Sequence, residues 1–139
     1  MLEIYNSSLI GLWLILVTIV LQAMIAIRVH RAQKGGYTPG VLRPELGQSS
    51  FVFRAHRTFQ NSMENIVPIL GLAFIAIFAG YSAFKLSIIV WVYAIARIAH
   101  MILYYRIATE KNPSPRSIPF IIGFFANFYL MIDLGIFLL

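Results

Sequence analysis

Two stretches place ionisable and amide side chains at helical spacing beside or inside long apolar runs. In RTFQNSMEN, residues 57 to 65, Arg57, Asn61, Glu64 and Asn65 recur at i, i+4, i+7 and i+8. On an α-helix that is one continuous stripe. In YAIARIAHMILYY, residues 93 to 105, Tyr93, Arg97, His100 and Tyr104 recur at i, i+4, i+7 and i+11, again one face. Ionisable groups at membrane depth are costly, and by default they mark a function or a buried pair. Arg97 needs a partner, and Glu64 is the one carboxylate at comparable depth on the same side. An Arg97–Glu64 contact between the second and third helices is therefore expected. For those two residues alone, a register-fixing pair and a functional pair are equally supported. The pair leaves Arg57, Asn61, His100 and Tyr104 over, with more cations and donors than one glutamate satisfies. That surplus implies an anionic ligand with two or more carboxylates for the arginines. An amine or amide on it would suit Glu64 and the asparagines. Singly, each residue has a plainer reading: Asn61 a helix–helix hydrogen bond, His100 a satisfied core imidazole, Tyr104 an interfacial belt residue, Tyr93 packing. Together they read as a site.

A third element is NPSPRS, where Arg116 and Ser117 open the last apolar segment. Backbone N–H groups and the helix dipole favour an anion there. A free thiol, with a pKa of roughly 8.5, is mostly protonated at neutral pH. A cation at a helix N-terminus is a means of stabilising the thiolate. Read alone, Arg116 is a basic loop residue followed by a capping serine. Its place on the same membrane side as both stripes favours function.

These residues are positioned by four apolar segments. The chain has 139 residues, 60% of them hydrophobic and only 12% charged, against a usual charged share of about a quarter. A soluble domain of this length could not hide that much apolar surface. The composition specifies a single-domain integral membrane protein, all-α, a four-helix bundle. Spans are expected near residues 8–28, 50–80, 86–106 and 117–139, each about long enough for a ~30 Å bilayer core. The first begins beyond Glu3 without a basic n-region, so an uncleaved span is expected. Gln22 is its one strongly polar interior residue and suggests a helix–helix hydrogen bond. Ser50 is a fitting N-cap for the second helix. Pro119 sits in the first turn of the fourth, where its missing N–H costs little.

There are no cysteines, which excludes disulfides, cysteine nucleophiles and thiolate metal sites. His30, His56 and His100 do not form a ligand cluster, so no metal is expected. The formal charge of +6 resides in loops beside apolar segments, which fits membrane topology and not nucleic acid. Arg28, Arg31, Lys34, Arg43, Arg54, Arg106, Lys111 and Arg116 fall in or beside the first and third loops, whereas the second holds Lys85 alone. Both termini are expected to lie outside the cytoplasm, with the stripes toward the cytoplasmic face.

With these motifs in view, the sequence resembles the MAPEG proteins, membrane-associated proteins in eicosanoid and glutathione metabolism. The family pattern RxxxNxxE appears as Arg57, Asn61 and Glu64, followed by Asn65 and Pro68. The pattern RxxHxxxY appears as Arg97, His100 and Tyr104. The resemblance spans essentially the whole chain and leans toward the microsomal glutathione transferases. It implies a homotrimer that binds glutathione between subunits. Arg57, Asn61, Glu64, Arg97, His100 and Tyr104 would hold the tripeptide, with Arg28 or Arg31 reaching it from the adjacent protomer. Arg116, with Ser117, would stabilise the thiolate. Counting back from Glu64 gives Arg57, not Arg54, the ligand position. The interval from Tyr104 to Arg116 is longer than in the eicosanoid enzymes, which leaves Arg106 as an alternative. Asp133 has no family role and is expected near the far interface, solvated or hydrogen-bonded. The activity implied is that of a detoxifying transferase or peroxidase acting on apolar electrophiles or lipid hydroperoxides from the bilayer. A noncatalytic binding protein of the same family and a small transporter are the rivals. A transporter would need polar residues through whole spans, and here they stop on one side.

Overall fold

A computed structural model describes residues 2–139. A short 3-10 turn (Leu2–Tyr5) leads into α1 (Asn6–Arg31), followed by α2 (Phe51–Phe78), α3 (Ala83–Arg106) and α4 (Ser117–Leu138). No strand is present among the described residues. All four α-helices are long and apolar enough to cross a membrane. The Ser50 side chain accepts from the Phe53 amide and starts α2. Ser82 does the same for α3 from the Lys85 amide, so this helix begins at Ala83, three residues before the expected Leu86. The apolar run misses this first turn because capping chemistry, not hydropathy, sets where a helix begins.

The core joins Leu12, Ile15 and Ile19 of α1 to Ile66, Ile69 and Ala73 of α2, Leu86, Ile89 and Val90 of α3, and Leu130 and Leu134 of α4. Gly11 allows the close approach of α1 to α3: a Cβ there would lie 2.6 Å from Val90 Cγ1. α4 packs chiefly on α3. The outward surface is apolar, with Trp13, Val20, Met24, Phe74, Phe78, Phe84 and Phe125 exposed. Large apolar side chains at this density on the outside face lipid, not water.

Antiparallel packing sorts the polar residues to two ends. The first half of α2, the second half of α3 and the start of α4 meet at one end. At the other, the Tyr5 hydroxyl donates to the Tyr81 carbonyl at 2.5 Å, and the Tyr81 hydroxyl donates to Asp133. Lys85 Nζ lies 3.1 Å from the same carboxylate. Asp133 is thus hydrogen-bonded and paired in the end opposite the stripes.

Candidate functional site

Arg97 is 5% exposed on the α3 face turned to α2. Its Nη2 donates to Asn61 Oδ1 at 2.7 Å and to Ser62 Oγ at 3.1 Å. The expected Arg97–Glu64 contact is not formed. Glu64 pairs instead with Arg57 at 3.4 Å, on an outer face where the two side chains are 48% and 37% exposed. The reason is angular. Ser62 lies on the buried face of α2, and Glu64, two residues on, is rotated from it by about 200°. The stripe from Arg57 to Asn65 straddles the edge of the helix's buried face. Its Asn61 and Asn65 shoulder turns to α3, and its Arg57 and Glu64 shoulder turns outward. A guanidinium with amide and hydroxyl acceptors but no carboxylate has no opposite charge paired with it.

Tyr93 is buried, and its hydroxyl donates to the Asn65 carbonyl at 2.8 Å, a bond between α3 and α2. Gln22 is also buried, yet its Oε1 has no partner among the described residues, so the expected helix–helix bond to that atom is not made within the chain. It borders a pocket of about 10 Å³ with Ser62, Tyr93 and Arg97, the space of a single water.

Above this layer opens a cleft of about 310 Å³, lined by Gln48, Asn61, His100, Tyr104, Thr109, Glu110, Lys111, Asn112, Ser114, Arg116, Ser117 and Phe120. It brings together Asn61 from α2, His100 and Tyr104 from α3, and Arg116 and Ser117 at the start of α4. Arg97 lies beneath it. Arg57 and Glu64 lie outside it on the α2 surface. Arg28 and Arg31 are exposed at the end of α1, and Arg31 borders a separate, mostly apolar cleft of about 390 Å³ with His30, Tyr37, His56 and Phe59. One protomer therefore gathers five of the ten expected site residues.

Arg116 is 7% exposed and is the N-cap residue of α4. Its Nε donates to Ser114 Oγ at 3.4 Å, and Nη1 donates to Gln48 Oε1 at 2.8 Å and to the Ile107 carbonyl at 3.3 Å. Nη2 donates to the Thr109 carbonyl at 2.8 Å. Of the five guanidinium N–H groups, one remains, on Nη2. The guanidinium carbon also stacks 4.2 Å from the Tyr104 ring centroid. Ser117 does not cap the helix. Its Oγ accepts from the Ser114 amide at 3.2 Å and shapes the turn before it. His100 is 4% exposed, with its ring 5.4 Å from that of Tyr104, and its Nδ1 has no partner among the described residues. No cluster of metal-ligating side chains occurs among the described residues.

Arg54 is buried, and its guanidinium donates to the carbonyls of Gln48 at 2.6 Å, Ser49 at 3.0 Å and Tyr105 at 3.3 Å. It ties the first loop to the end of α3. Gln48, Ser62, Thr109, Glu110 and Lys111 are among the lining or supporting residues that helical spacing does not reveal. Four of them sit in loops, where no period operates. Ser62 is masked by the more polar residues on either side.

The family model described as the MAPEG family matches residues 7–136, nearly the whole chain. No curated protein matches the chain significantly. Four bilayer-length apolar helices, the two polar stripes meeting at one end, and a family match over almost the full length converge. The chain belongs to the MAPEG family and is an integral, multi-pass membrane protein of eicosanoid and glutathione metabolism.

Proposed function

We propose that the protein is a membrane-bound glutathione transferase that also reduces lipid hydroperoxides. The observation that carries this reading is the convergence of Asn61, His100, Tyr104, Arg116 and Ser117 on one cationic cleft. Lys111 and Arg116 supply its positive charge. Glu110, the one carboxylate lining it, is engaged by the Gln48 amide at 3.0 Å. The unpaired His100 Nδ1 and the remaining Arg116 N–H fit an anionic, multiply hydrogen-bonding tripeptide. Glutathione, when bound, supplies the nucleophilic sulfur. Arg116 supplies the positive charge that holds that sulfur ionised. Asn61, His100 and Tyr104 supply hydrogen bonds to the peptide, and Arg97 supplies charge from below.

The half-exposed Arg57–Glu64 pair supports self-association, for which the family resemblance implies a homotrimer. An ion pair facing hydrocarbon is costly, and a second copy laid over that face would cover it. Arg28 or Arg31 of a neighbouring copy would then approach the same ligand, and Arg57 and Glu64 would join the site. Apolar substrate would enter from the bilayer. Residues 28–50 and 106–116 would face the cytoplasm, with both termini on the other side. Reporter fusions at Leu139 and near Tyr37 test this orientation, and a cytoplasmic Leu139 would reverse it.

One observation favours a second reading, a noncatalytic binding member of the family. Four of the five Arg116 N–H groups are already donated within the protein. Equilibrium binding of glutathione to detergent-purified protein, followed by thiolate absorbance, separates the readings. The transferase reading predicts saturable binding with the thiol ionised at neutral pH. Binding without ionisation would favour the noncatalytic reading, and no binding would defeat both in their glutathione form.

A further inference from the structure

We propose that Gln48 is a positioning residue for the thiol chemistry, setting the orientation of Arg116 and directing the Tyr104 hydroxyl proton into the cleft. This rests on the transferase reading above. The Gln48 side chain spans the two groups. Oε1 accepts from Arg116 Nη1 at 2.8 Å, and Nε2 donates to the Tyr104 hydroxyl at 3.0 Å. The opposite amide orientation would set donor against donor at Arg116, so the hydrogen-bond network fixes it. A phenol that accepts from Gln48 has its own O–H left to give, and Tyr104 lines the cleft.

The backbone of Gln48 is held as firmly as its side chain. Its N–H donates to Glu110 Oε1 at 3.0 Å, and its carbonyl accepts from Arg54 at 2.6 Å. One residue of the first loop thus links α2, α3 and the loop that carries Arg116. The Arg116 guanidinium is held from Gln48 on one side and from the Ile107 and Thr109 carbonyls on the other. All of these are neutral acceptors. They orient the cation without cancelling its charge, which remains for an anion. A carboxylate in place of the amide would pair with Arg116 and compete with the thiolate for it. It would also lose the donor to Tyr104.

Gln48→Glu keeps size and shape and is the decisive variant. Gln48→Met removes both hydrogen bonds without adding charge. The measurement is the pH dependence of thiolate absorbance and of turnover for glutathione bound to the full-length, detergent-purified protein. Gln48→Glu should raise the bound thiol pKa by about one unit or more, toward the free value of roughly 8.5. Turnover at neutral pH should fall about tenfold, while KM for glutathione moves less than about threefold. Gln48→Met should give a smaller shift in the same direction. If Gln48 only holds the loop, both variants would lower the yield of folded protein and leave the thiol pKa unmoved. An unshifted pKa in folded Gln48→Glu overturns the proposal and leaves the transferase reading standing. A wild-type protein that does not ionise bound glutathione overturns both.

Discussion

The two ends of the bundle are built from the same side-chain types and resolve them in opposite ways. At the end holding Asp133, the cation, the carboxylate and the Tyr5 and Tyr81 phenols form a closed chain of partners. At the other end, Arg97 and Arg116 are held by neutral acceptors and have no carboxylate partner among the described residues. Polar groups inside a membrane protein are expensive at either end. Where they neutralise one another, the arrangement is a fastening. Where positive charge is left without a carboxylate partner beside a cleft, it is available to the ligand of the proposed site.

The sharpest break of that contrast is Arg116→Ala. Removing the cation should lower turnover on the order of 100-fold and raise the pH midpoint of the rate toward that of a free thiol. Arg116 also fastens the loop to Gln48, Ile107 and Thr109, so hydrogen exchange in residues 107–115 should rise as well. If Arg106→Ala instead abolishes turnover while Arg116→Ala does not, the activating role belongs to Arg106.

Beneath the cleft, Asn61→Leu removes the shorter of the two Arg97 hydrogen bonds, leaving only that to Ser62, and should lower stability by about 2 kcal/mol, the scale of a lost hydrogen bond to a charged group. Glu64→Gln breaks only the pair with Arg57 and leaves both Arg97 acceptors in place, so protomer stability should fall less than in Asn61→Leu. Its effect should fall on trimer assembly and glutathione affinity. Denaturation of the two variants side by side checks the reassignment of the Arg97 partner. An equal or larger loss from Glu64→Gln would restore the Arg97–Glu64 pairing.

At the closed end, Asp133→Asn should reduce thermal stability and leave glutathione affinity within about threefold, since the cluster lies across the bundle from the cleft. Burial, and then the bond to Asp133, hold the Tyr81 phenol above its ordinary pKa of 10.0. The folded state favours the neutral phenol. Its contribution is therefore full below about pH 10 and is lost as pH rises further. Tyr81→Phe should flatten that alkaline decline, and an unchanged alkaline melting curve would show that the phenol contributes nothing.

Helices were legible because their apolar runs are long and two of their boundaries carry Ser50 or Pro119; the Ser82 cap that starts α3 was not read. The face of α3 bearing Arg97, His100 and Tyr104 was legible because the period of 3.6 is strict there. The partner of Arg97 was not. A stripe of four residues covers about 100° of a helix, and spacing alone cannot say which of its edges turns inward. Ser62, shorter and less polar than Glu64, wins because it lies on the buried face. Gln48 was illegible for another reason. Loop residues have no period, and its importance arises from bonds to residues six, 56, 62 and 68 positions away.

If unpaired cationic groups make one end the proposed glutathione site while the other end is only fastened, the two ends must respond differently to the tripeptide. Hydrogen exchange of the detergent-purified protein with and without saturating glutathione tests it most directly. Exchange should slow in amides of residues 46–50 and 104–118 and stay unchanged in residues 79–85 and 131–135. Equal protection at both ends, or none in residues 104–118 when glutathione is bound, would contradict it.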